Sequence, residues 1–359
     1  MSGKKKDANI TPVVTRDPRF LAGRSLVQTG LAHEGAIDIF AILVEEARSK
    51  YGEESIETAP AYYEYGNALL RAASKLGDEE QEGQDEIAVA PADPREAAAT
   101  AAEKRFKNAE ETKSERKEDA KPAATERSKE QSEAGKDEAG DDGDEKEEDN
   151  EDEIEEGNDI DLALEMMETA FSIIEEYRDS ETNTPKTYLG WAVEQLPRVL
   201  LGIGDTLSSL DRHSDAADAY ARALALRQEK LNEFCKEDLT MEHLQAQRRA
   251  CEATILICEE LLACPPGEDV VATETHSLIV KASERVEYVR GYYDKARDAL
   301  QDTVFLMANL AARNIDVEVE KEDVCFVSTM VMGVGTALAE IDEKEAEERV
   351  APIKKKQKI

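Results

Sequence analysis

Aromatic residues make up only 5% of this 359-residue chain, and Trp191 is its one tryptophan. No CxxC pair joins any of the five cysteines (Cys235, Cys251, Cys258, Cys264, Cys325), and none has a histidine at zinc-ligand spacing, which excludes the common zinc modules. Their odd number fits reduced thiols in a reducing compartment, and they read as core residues. The four histidines (His33, His213, His243, His276) are scattered, with His213 expected to be exposed at a turn. Nucleophile elbows and phosphate loops are absent, and the two GxG sequences, Gly202 with Gly204 and Gly333 with Gly335, lack a third glycine and a preceding strand. The chain therefore reads as a non-enzyme with no cofactor and no metal site. Its N-terminus, MSGKKKDANI, lacks the apolar region of a secretory signal. The most apolar stretch, Val324 to Leu338, is about 15 residues, too short to span a bilayer, and no membrane partner is expected.

Positive charge is also scarce. Lys and Arg number 45 against 81 Asp and Glu, a formal net charge of -36. Binding to nucleic acid rests on cations that displace counterions from phosphates, so this balance disfavours it and favours a basic protein partner. Thirty-one acidic and 12 basic residues fall between Asp78 and Gly157. The densest carboxylates are Asp141, Asp142, Asp144, Glu145, Glu147, Glu148, Asp149, Glu151, Asp152, Glu153, Glu155 and Glu156. With Phe106 as its one aromatic residue, the segment has too little apolar area to offset roughly 1–2 kcal/mol of backbone entropy per ordered residue. Residues 77–158 are expected to be a disordered polyanion. Composition alone fits a solubilising linker as well as a binding arm.

Outside that segment helix formers dominate, and an all-α fold follows. From Pro197 the chain reads PRVLLGIGDTLSSLDRHSDAADAYARALALRQEKL. Set out as a 34-residue tetratricopeptide unit, it puts Leu200, Ile203, Leu207 and Tyr220 at the large apolar positions. Gly204, Ala216 and Ala223 fall at the small ones. Small residues let two helices approach and large ones fill the space between them. A second unit begins at Phe20 with Val27, Ala36 and Phe40 in register, but it carries Arg24 where the pattern has a small residue. A third helix, around Tyr62, Tyr65, Gly66 and Leu69, finds its partner only beyond the acidic run, at Ala163, Met167 and Ala170. The polyanion thus interrupts a helical hairpin, which logarithmic loop-closure entropy tolerates.

The reading is a tetratricopeptide-repeat helical solenoid in five parts. These are a flexible N-terminus (1–16), the first repeat with half of the second (17–76), the acidic insertion (77–158), the remaining repeats with a C-terminal capping helix (159–314), and a C-terminal segment (315–359). Helices are expected from about Glu237 to Cys264 and from about Thr273 to Asn314. The tail VAPIKKKQKI is expected to be disordered.

The order of these parts, with SKYGEESIETAPAYYEYGNALLRAA before the acidic run and GNDIDLALEMMETAFSIIE after it, closely resembles the nuclear autoantigenic sperm protein family of histone chaperones. Their domain is the interrupted tetratricopeptide repeat called SHNi-TPR. The resemblance covers about Pro18 to Leu262. It implies binding of histone three, alone or paired with histone four, before nucleosome assembly, and an association with linker histone, other histone chaperones and import receptors. A nuclear location with a cytoplasmic pool follows, with Lys354, Lys355, Lys356 and Lys358 as the import signal. In stacked hairpins of this kind the first helix of each pair lines a groove, which brings Tyr63, Glu64, Asn67, Arg71, Trp191, Glu194 and Asp205 to it. Tyr63 and Trp191 would take the apolar side of a histone helix, while Glu64, Glu194 or Asp205 accept its arginines. A lone tryptophan is more often core than ligand contact. A second reading is a tetratricopeptide adaptor or scaffold for another protein, with the acidic run inert.

Overall fold

The computed structural model describes residues 10–82, 156–180, 187–235, 240–271 and 278–356. Most of the expected polyanion, the first nine residues and Lys358 lie outside them. Nine α-helices form among the described residues: α1 (Pro18–Gln28), α2 (Ile37–Tyr51), α3 (Ala59–Glu82), α4 (Glu156–Asp179), α5 (Leu189–Ser209), α6 (His213–Leu231), α7 (Met241–Ala263), α8 (Arg285–Ala312) and α9 (Glu318–Lys356). Local chemistry sets several ends. Asp17 caps α1 by accepting from the Arg19 backbone N–H, with Pro18 at the first position. Gly52, at φ 97°, terminates α2. Thr240 caps α7 through the His243 N–H.

From α3 onward each helix packs against the next, and α9 lies against both α7 and α8. The interface between α3 and α4 is close. A Cβ on Gly66 would sit 2.7 Å from the Ala163 carbonyl oxygen and 2.9 Å from Met167 Cγ. Gly204 does the same work between α5 and α6, where a Cβ would overlap the Tyr220 ring. All seven large and small positions assigned to that hairpin are buried. A main core runs from Val14 to Leu338, with a satellite cluster of Leu244, Leu306, Leu310 and Val317 joining α7, α8 and the start of α9.

The sequence-based reading needs correction at several points. Helix α3 continues to Glu82 and α4 begins at Glu156, so both reach into the segment expected to be disordered. Helix α8 starts at Arg285 instead of near Thr273, because Val270–Val271 and Ile279–Val280 pair as a short antiparallel ladder, β1 and β2. The tail is helical through Lys356. Cys235 and Cys325 are exposed, whereas Cys251, Cys258 and Cys264 are buried.

The apolar part of α9 is longer than its uninterrupted run. Glu320–Lys344 spans 25 residues with a mean hydropathy of 1.7, which by length and composition is enough to cross a membrane. Here one face is used as core. Val324, Val327, Val331, Val334 and Leu338 are buried. The buried Glu320 carboxylate accepts from Gln245 at 2.8 Å and Arg248 Nε at 3.0 Å, which docks α9 on α7.

Candidate functional site

The N-terminal segment, α1, α3, α4 and α5 line a groove of about 350 Å³. Thr11, Thr15 and Arg16 form one wall, Phe20 and Arg24 come from α1, Pro60, Tyr63 and Glu64 from α3, and Trp191, Glu194, Gln195 and Arg198 from α5. The wall made by the N-terminal segment is pinned by Glu57. One carboxylate oxygen accepts from the Val13 N–H at 2.5 Å and the other from the Tyr188 hydroxyl. That bond raises the Tyr188 phenol to about 12.

Four of the seven expected groove residues line this cavity: Tyr63, Glu64, Trp191 and Glu194. The other three do not. Asn67 and Arg71 lie further along α3, and Asp205 lies further along α5, where it accepts from the Tyr220 hydroxyl at 2.7 Å. Burial raises the Asp205 carboxyl to about 6 against the pull of that hydrogen bond and of Arg71.

The chemistry of the groove differs from the expected acidic acceptor. The Glu64 side chain is 5% exposed, and its Oε1 is held by Arg24 Nε at 3.1 Å and Arg198 Nη2 at 3.6 Å. With Oε1 shared between two guanidinium groups, Glu64 would take a partner's arginine only in competition with Arg24 and Arg198. Arg198 also donates from Nε to the Tyr63 hydroxyl at 3.2 Å and lies 5.2 Å from that ring's centroid. Tyr63 and Trp191 are buried wall residues, 8% and 6% exposed. Three guanidinium groups therefore face two carboxylates.

Sequence reasoning missed Arg16 and Gln195 as lining residues. It registered Arg24 only as a departure from the repeat, although an arginine at a small-residue position was itself the signal that this side chain points elsewhere. His213 also departs from expectation. Instead of standing exposed at its turn, it bonds through Nδ1 to Glu260 Oε2 at 2.8 Å, and Glu260 Oε1 accepts from Ser208 at 2.8 Å. The hydrogen bond to Glu260 raises the imidazole pKa.

Asp141 to Glu155 and Lys358 lie outside the described residues, while Glu156 opens α4 and Lys354 to Lys356 close α9. Among the described residues no group of three or more His, Cys, Asp or Glu is placed to hold a metal ion. No protein-family model matches the chain, and no curated protein matches it.

Proposed function

We propose that this chain is a histone chaperone of the interrupted tetratricopeptide type, binding histone three and its pair with histone four before nucleosome assembly. One observation carries the reading: α3 and α4, which bracket the acidic run, pack together through Gly66, Ala163 and Met167. The run is therefore an insertion within one hairpin and not a linker between domains. The sequential packing of α3 to α8 fits a repeat solenoid in which α9 covers the last apolar face.

Free histones are cationic and expose apolar surface. The carboxylates from Asp141 to Glu156 would neutralise that charge. The groove, its Glu64 already paired, offers Tyr63 and Trp191 as apolar walls instead of carboxylates for arginine. The lysines at 354–356 and 358 would serve nuclear import.

A second reading draws on the guanidinium groups of Arg16, Arg24 and Arg198, which suit a carboxylate-terminated peptide and hence an adaptor. One titration separates the two. The full chain, a chain lacking 83–155 and an Arg16→Glu variant are each mixed with histones three and four, and with an acidic C-terminal peptide, at near-physiological salt. The chaperone reading expects histone binding by the full chain that weakens without 83–155. No histone binding by any form, with peptide binding lost in Arg16→Glu, establishes the adaptor instead.

A further inference from the structure

The far end of the helical array from the groove carries an apolar face that packing within the chain leaves open. Phe326 and Met332 of α9 are 61% and 62% exposed, and Val304 and Phe305 of α8 are 45% and 71% exposed. Phe305 and Met332 stand on the same side of the seam between these two helices, while Phe326, about 120° from Met332 around α9, stands on the opposite flank. The Arg290–Asp342 ion pair and the Tyr293 ring under Gly335 set the register of α8 against α9, which brings Phe305 level with the exposed Cys325. Seven residues apart, Cys325 and Met332 form one stripe of α9 beside α8. Phe326 lies off this face, on the α7 side of α9, where Arg248 holds Glu320 and Asp323. A two-helix seam with several large exposed apolar groups is the shape that accepts a third amphipathic helix.

Charge selects the occupant. Glu322 and Glu340 bracket the face along α9, and Asp302 lies one turn before Phe305; none of the three is in an ion pair among the described residues. The nearby cations are already engaged, Lys321 with Glu318 and Arg297 with Asp294 and Asp298. A second copy of the chain would set these carboxylates against their own kind, and an anionic lipid surface would be repelled by them. We propose that the α8–α9 face docks a basic amphipathic helix of another protein. The proposal does not depend on the histone reading, because it involves neither the groove nor the acidic run.

The probe is a synthetic leucine–lysine amphipathic helix of about 18 residues, long enough to cover some five turns, with one photoreactive benzoylphenylalanine on its apolar face. Mixed with the full chain at about 0.15 M salt and irradiated, it should cross-link to 301–309 and 322–336, as located by mass spectrometry. The double variant Phe305→Gln, Met332→Gln alters only exposed side chains. It should keep the wild-type circular dichroism and lose roughly tenfold or more in cross-linking at those sites. A peptide with glutamate in place of lysine should not label them. Cross-links confined to the groove or the acidic run overturn the proposal, as does equal labelling by the glutamate peptide. So does wild-type protein that sediments at twice the chain mass or floats with phosphatidylserine vesicles when the double variant does neither.

Discussion

Asparagine in place of Asp205 is expected to make the protein more stable at pH 7.5. The Asp205 carboxyl titrates near 6 in the folded chain because burial disfavours its charge, against 3.8 for an ordinary aspartate. Between about pH 4 and pH 6 the folded state therefore holds a proton that the unfolded state has released, so stability falls as pH rises through that window. At pH 7.5 the full effect is about 3 kcal/mol, discounted to about 1–3 kcal/mol because solvent reaches part of the side chain. At pH 4.5 it shrinks to about a third of that. The Asp205→Asn side chain would lack the charge but keep an Oδ1 able to accept from the Tyr220 hydroxyl, now at 2.7 Å. Urea unfolding at the two pH values measures the difference, with an unchanged denaturant slope confirming that the unfolded state is the same. A variant less stable than wild type at pH 7.5, or an equal gain at both pH values, refutes the assignment of a strained charge. A confirmed gain would mark Asp205, beside Arg71 at the end of the groove helices, as a charge held at a cost in stability.

Gly66→Ala should lower stability by about 1–3 kcal/mol, because its Cβ would press on the Ala163 carbonyl and force α3 from α4. The opposite sign, which helix propensity alone predicts, would show that the two helices are not held this closely. His213→Gln should flatten the stability profile above pH 6.5. The raised imidazole pKa stabilises the wild type fully below the unfolded value of 6.5, and that contribution is lost as pH rises through the folded value. Parallel profiles for the two proteins would place the Glu260 contact outside the folded state in solution. In a thiol titration of the native chain, Cys235 and Cys325 should react fast. Cys251 and Cys258, pushed up to about 12 by burial, and Cys264, also raised by burial, should react only on unfolding.

The pairing of helices was legible in the sequence wherever small and large residues alternate at fixed spacing. Gly204 with Tyr220, and Gly66 with Ala163 and Met167, follow from that pattern even across the acidic interruption. At the first hairpin the pattern slips by one residue. Gly23 takes the close contact, its Cβ position lying 2.8 Å from Phe40 Cζ, and Arg24 is released to hold Glu64. The face of α3 and α5 that lines the groove was readable in part: Tyr63, Glu64, Trp191 and Glu194 reach it, whereas Asn67 and Arg71, at i, i+4 steps from Tyr63, fall further along α3. Its charge was not readable. The cations that neutralise Glu64 arrive from α1 and from another turn of α5, and Arg16 arrives on a segment pinned by Glu57. The β1–β2 ladder had a signal in β-branched Val270, Val271, Ile279 and Val280, but two-residue strands fall below the length at which periodicity registers. The reach of α9 was missed because Glu and Lys at both ends hide an apolar stretch that only helix geometry unites.

The pairing of Glu64 changes how the proposed chaperone divides its work. A groove whose buried carboxylate is paired with Arg24 and Arg198 would hold a partner mainly by shape and apolar contact, and such contacts act mainly on dissociation. Exposed carboxylates act over a screening length of about 8 Å at 0.15 M salt and mainly raise the association rate. Deleting 83–155 should therefore slow histone association and flatten its salt dependence while leaving the dissociation rate within about twofold. Glu194→Ala, which alters a wall residue of the groove, should leave the salt slope nearly intact and speed dissociation. Stopped-flow measurements across a salt series separate the two. If the deletion instead accelerated dissociation with association unchanged, the carboxylates would be the specific contact and the groove would have no part in holding the histone.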